Sequence, residues 1–172
     1  MVRQWLKLFL FCGSLCLSGQ SLAQQNDIGK SEYQLKTVYL LHFAELTEWP
    51  EATAISICLL GNSPLEAYLP ALQGQKVHNM ALRVILDQQQ PIENCQILVL
   101  AELSALTKAL LEQAKTQHIL LVSDAENFAA QGGMIQFSLR DNKLKLVVNL
   151  NSVKQASLKL SSKLLRMAEI LE

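Results

Sequence analysis

Three short apolar runs, at residues 55–60, 95–100 and 118–122, constrain this fold more than any other feature of the sequence. A strand with one wet face alternates apolar and polar residues. A run such as Ile55-Ser56-Ile57-Cys58-Leu59-Leu60 does not alternate, so it must be covered on both faces, as strands of a parallel sheet are. Segments of helical character separate these runs. Over residues 31–49, Leu35, Val38, Tyr39, Phe43 and Leu46 recur at helical spacing until Pro50 forbids continuation. Ser63-Pro64-Leu65-Glu66 reads as a capping box with proline in the first turn, opening a helix that Gly74 ends. Residues 77–86 form a further strand, with Val84 and Leu86 on one face and Arg83 and Ile85 on the other. Pro91 follows it, and Ser104 caps a helix reaching about Lys115.

After Gly132-Gly133 the pattern changes to strict alternation. Ile135, Phe137 and Leu139 face one way, while Gln136, Ser138 and Arg140 face the other. Asp141-Asn142 tolerate the positive φ angles of a two-residue hairpin turn. Pairing outward from that turn sets Leu139 opposite Leu144, Phe137 opposite Leu146 and Ile135 opposite Val148, which puts all six on one face. A last helix is expected from about Ser152, with Val153, Ala156, Leu160, Leu164, Met167 and Leu171 along one stripe. Lys154, Lys159, Lys163 and Arg166 fall mostly off it. The sum is an α/β fold: a three-layer arrangement with a mixed, largely parallel sheet, a C-terminal antiparallel hairpin and flanking helices.

The amino terminus reads as a leader for export. Arg3 and Lys7 precede an apolar run of about ten residues, too short for the roughly 20 that a membrane-spanning helix needs. Ser21-Leu22-Ala23 then offers small residues three places and one place before a cut, as a signal peptidase requires. Cleavage before Gln24 leaves 149 of the 172 residues, the size of one domain. The expected organisation is a cleaved signal peptide at 1–23, a flexible stretch at 24–30 and a single domain at 31–172, delivered to the periplasm with no insertion in the membrane. The mature chain keeps 13 basic and 15 acidic residues, a balance that argues against nucleic acid as a partner. The leader also takes Cys12 and Cys16 with it. Cys58 and Cys95 remain, and in an oxidising compartment two cysteines suggest one bridge; two buried free thiols are the alternative.

Catalytic patterns are lacking. Gly61-Asn62-Ser63-Pro64 fails the nucleophile-elbow pattern at its end, so Ser63 is read as a helix cap. His42, His78 and His118 are scattered, with no pair at metal-ligand spacing, and no glycine-rich loop opens a helix to cradle phosphate. No enzyme activity, metal or cofactor is expected. One place invites a small ligand: the crevice at the carboxyl ends of the parallel strands, where Asn62, Ser63, Glu102, Ser104 and Asp124 would gather. Each of these residues also serves as a cap or a turn residue.

Several blocks, taken in order, resemble the YfiR family of small periplasmic proteins. They are Tyr33-Gln34-Leu35-Lys36 leading to Phe43 and Trp49-Pro50, then Ile57-Cys58-Leu59-Leu60-Gly61 and Cys95-Gln96-Ile97-Leu98. Gly132-Gly133-Met134-Ile135 with Phe137, Asn149, and Ser161-Ser162-Lys163-Leu164-Leu165 complete the set. The resemblance implies a non-enzymatic repressor that binds the periplasmic domain of an inner-membrane diguanylate cyclase and lowers cyclic-di-GMP signalling, with release by envelope stress or redox change. It also implies a homodimer and a fold-supporting disulfide at the matching positions Cys58 and Cys95. The later cysteines that form a second bridge in some members are missing here. No catalytic residue carries over. A small-ligand sensor is the alternative.

Overall fold

The computed structural model describes residues 21–50, 52–86, 92 and 94–171. Most of the expected leader, Cys12 and Cys16 included, lies outside them. The first helix, α1 (Ser21–Leu46), starts ten residues before the expected position, so residues 24–30 are helical and the Ala23-Gln24 bond lies in its first turn. It also ends earlier than expected. Thr47 and Glu48 form a two-residue strand, β1 (Thr47–Glu48), and Pro50 falls beyond it.

The face that α1 buries differs from the one its apolar residues suggest. Leu35 and Val38 are 43% and 48% exposed, whereas Lys36, Thr37, Leu40, Phe43 and Ala44 are buried. Two carboxylates neutralise Lys36, as described below, and that permits a lysine on the inner face. Phe43 and Tyr39 pack on Phe137 at ring-centroid distances of 5.7 and 6.1 Å.

The chain then lays down β2 (Ile55–Leu60), β3 (Lys76–Val77), β4 (Met80–Ile85), β5 (Ile97–Leu100), β6 (Leu120–Ser123), β7 (Ile135–Arg140) and β8 (Lys143–Asn149). With β10 (Ala168–Leu171) they form one sheet in the order β10-β8-β7-β6-β5-β2-β4-β3. Only the β7–β8 and β3–β4 pairs are antiparallel. β5 and β6 are buried at every position and β2 at all but its last, so both faces of the central sheet are covered. The mixed α/β architecture inferred from the buried runs is the one observed.

The hairpin register is also the expected one: Leu139 pairs with Leu144, Phe137 with Leu146 and Ile135 with Val148. Asp141 and Asn142 sit at φ 51° and 56°. Elsewhere local signals yielded to the backbone. The helix expected from Ser63 to Gly74 is two short 3-10 turns, 64–67 and 69–72. Pro70 explains this, because it lacks an N–H and its ring clashes with the carbonyl four residues back. The single strand over 77–86 is a tight hairpin, β3 and β4, turned by His78 and Asn79 at φ 49° and 67°.

Ser104 does not cap a long helix. It lies within a 3-10 turn at 103–105, and Thr107 caps α2 (Lys108–Thr116) by accepting a hydrogen bond from Leu110 N. The largest difference is at the carboxyl end, where one long helix is replaced by α3 (Leu150–Gln155), β9 (Lys159–Leu160), α4 (Ser162–Leu165) and β10. Ser157 at φ 57° breaks the helical path. β9 pairs with β1, and β10 joins β8 in parallel. Pairing these strands outweighs a weak helical preference. Lys154, Lys159 and Lys163 are thereby spread over α3, β9 and α4, with Arg166 just after α4, and they share no single helix face.

Candidate functional site

From β2 the chain moves to β4 on one side, then returns to place β5 on the other. The carboxyl ends of β2 and β5 therefore diverge at a switch in strand order, the place where such sheets leave a crevice. β2 ends at Leu60, and Gly61 turns away at φ +89°. A Cβ there would come within 3.2 Å of Ala101 Cβ, so glycine lets the two loops approach. Leu60 O accepts from Ala101 N at 3.0 Å. The crevice that results measures about 490 Å³, and Asn62, Glu102, Ala105 and Thr107 are among its walls.

Two of the expected ligand residues, Asn62 and Glu102, do meet in this crevice; Ser63 and Asp124 are engaged elsewhere. Ser63 Oγ accepts from Leu65 N at 3.3 Å and Ser63 N donates to Glu66 Oε1 at 3.4 Å, which is the capping box read from the sequence. Ser104 Oγ donates to Glu102 Oε2 at 3.1 Å. Ser123 Oγ donates to Leu100 O at 2.8 Å and accepts from Ala125 N at 3.1 Å, so both roles of its hydroxyl are spent on the backbone. The crevice offers one carboxylate, one amide and the Thr107 hydroxyl that caps α2.

Asp124 instead holds Lys36, a residue the sequence did not mark as functional. Its Nζ lies 2.6 Å from Asp124 Oδ2, 2.5 Å from Glu32 Oε1 and 4.5 Å from the centroid of the Tyr33 ring. Tyr33 in turn stacks on Tyr68 at 6.2 Å. The cluster ties α1 to the end of β6 and to the junction of the two 3-10 turns. A signal was present: Lys36 falls on the stripe formed by Tyr33, Leu40 and Phe43, with Glu32 one turn before it.

Burial works to lower the Lys36 pKa, but hydrogen bonds to Asp124 and Glu32, together with their charges, outweigh it and raise the pKa above 10.5. A raised amine pKa means that the contribution to stability is complete below about pH 10.5 and is lost as pH climbs through the folded-state value. Lys36→Met removes the cation alone and leaves the Glu32 and Asp124 carboxylates uncompensated, which is destabilising while Lys36 is charged. The melting-temperature difference between the native chain and Lys36→Met should thus stay constant from pH 8 to about 10, then move against the native chain at higher pH. A difference that is flat to pH 12 would remove Lys36 from this role.

Cys58 and Cys95 are joined by a disulfide, with Cα atoms 5.9 Å apart and a sequence separation of 37. Cys58 lies within β2 and Cys95 just before β5, both buried, so the bridge staples the two strands that flank the switch point. Among the described residues no three His, Cys, Asp or Glu side chains gather as a metal would require. His42 meets Glu45, and His118 meets a backbone carbonyl. No helix among the described residues is long and apolar enough to cross a membrane.

No curated protein matches the sequence. The profile of the YfiR/HmsC-like family matches residues 33–169, which takes in Lys36 with Tyr33 and Asp124, the disulfide, the crevice and the hairpin. A match from the ring that covers Lys36 into the last strand of the sheet spans nearly the whole domain, and the chain belongs to the YfiR/HmsC-like family.

Proposed function

We propose that the mature chain is a periplasmic regulatory binding protein that represses an inner-membrane diguanylate cyclase by capturing its periplasmic domain, and so lowers cyclic-di-GMP signalling. Family membership over residues 33–169 carries this reading. Three further features support it. The leader at residues 1–23 directs the chain out of the cytoplasm. The disulfide suits an oxidising compartment. Ser63, Ser123 and Asp124, polar side chains close to the crevice, are spent on a cap, a backbone carbonyl and an ion pair, which suits action by contact. A homodimer belongs to the same reading.

Deleting the gene is expected to raise cellular cyclic-di-GMP and biofilm formation. Unchanged levels in cells that express the protein would reject the reading. A second reading, a small-ligand sensor, draws on the 490 Å³ crevice beside Asn62 and Glu102. Thermal stabilisation by a periplasmic metabolite, lost on Glu102→Gln, would favour it.

A further inference from the structure

The opposite edge of the sheet, at the amino ends of β2, β5 and β6, holds a second hollow of about 280 Å³. Four segments far apart in sequence contribute Trp49, Arg83, Asn94, Gln96, Gln117 and His118 to its walls. The hydrogen bonds already made by these side chains determine what the hollow can still bind. Gln96 Oε1 accepts from Ser56 N at 2.8 Å, which fixes the amide and leaves both protons of its Nε2 unspent. Gln117 Oε1 accepts from Gln113 Nε2 at 3.3 Å, which leaves the Gln117 amino group unspent as well.

His118 Nδ1 lies 2.8 Å from Ala156 O, and a carbonyl can only accept, so Nδ1 donates and the ring is held in one orientation. Trp49 Nε1 is buried without an acceptor. Arg83 is exposed and takes no part in the ion pairs among the described residues. The acceptors of the two glutamines are used internally, while their donors and a permanent cation remain. The two glutamine amides and the Arg83 guanidinium donate, and Arg83 is the charged side chain in the wall, which suits a negatively charged ligand rich in acceptors.

We infer that this hollow is a binding site for a small oxyanion-bearing solute, a carboxylate or phosphate compound, with Arg83 as its charge partner and the Gln96 and Gln117 amides as its donors. The site lies at the other end of the strands from the Asn62–Glu102 crevice. It does not depend on the cyclase reading, and failure of either leaves the other standing.

The test titrates the oxidised mature chain with inorganic phosphate and separately with succinate at constant ionic strength, followed by calorimetry and thermal shift. Saturable, single-site binding of at least one probe is expected, and the probe that responds separates phosphate from carboxylate. Gln96→Glu keeps the acceptor for Ser56 N and removes the donor. Arg83→Ala removes the charge from an exposed position. Each should weaken binding by about tenfold or more, the value of one charge-assisted contact, while Glu102→Gln in the other crevice leaves it unchanged. Failure of both probes to saturate would overturn the inference. So would binding that Arg83→Ala leaves intact, or binding that Glu102→Gln abolishes. If Gln96→Glu impairs folding, Arg83→Ala decides alone.

Discussion

Cys58→Ser is expected to lower the stability of the mature domain by about 4 kcal/mol, from the loop entropy that a bridge over 37 residues removes from the unfolded chain. For a domain of this size that is a fall of roughly 8–16 °C in melting temperature. Part of the effect is local. Cys58 is fully buried within β2, which pairs with β4 on one side and β5 on the other. Once the bridge is gone, the ladder and the Ser56–Gln96 bonds still hold the segment entering β5 to β2. Cys95→Ser should cost nearly the same, and the double variant little more than either, because one bond is lost in all three cases. Denaturant titration measures the loss, and thiol counting on unfolded protein checks its cause. Two reactive thiols in native protein isolated from the periplasm would contradict it.

Gly133→Ala is expected to cost about 3 kcal/mol, at the upper end of what overpacking a core usually costs. The melting temperature should fall by roughly 6–12 °C. Gly132-Gly133 reads in sequence as a plain turn before a strand, yet only Gly132, at φ +103°, has the backbone of one. Gly133 donates its N–H to Phe128 O at 2.9 Å, and the fully buried Phe128 ring folds over it. A Cβ at Gly133 would overlap the Cδ1, Cε1 and Cζ atoms of that ring. The ring has nowhere to go, since the core around it is closed. Gly29→Ala is the control: nothing lies within 4 Å of its added Cβ, and in α1 alanine should be neutral or better. Equal melting temperatures for Gly133→Ala and the native chain would show that the ring is free to move.

The β7–β8 hairpin was legible because two independent local signals, the Asp141-Asn142 turn and the two-residue alternation, agree on one register. The buried strands β2, β5 and β6 were legible because apolar runs have few other uses. The carboxyl end was not. Its apolar residues at three- and four-residue spacing imitate a helix, while the break at Ser157 and the pairing of Ala168–Leu171 with β8 depend on a neighbour that no local pattern reveals.

The candidate site divides along the same line. Topology brings Asn62 and Glu102 to one crevice. Ser63 and Asp124 were diverted by partners close at hand, the first by its own helical turn and the second by Lys36. The donor-bearing hollow leaves little local trace because it is assembled from four segments. Its trace in the sequence is a single polar residue in each of two apolar runs, Ser56 and Gln96.

Repression of a membrane cyclase from the periplasmic side is tested most directly by the cyclic-di-GMP content of matched strains. The strains needed lack this gene, carry it restored, or lack both it and the gene for a membrane protein with a GGDEF domain beside it. The proposed function predicts a rise on deletion, a return on restoration, and no rise when the cyclase gene is removed as well. A level that stays flat in the single deletion, or that rises just as far without the cyclase, would contradict it.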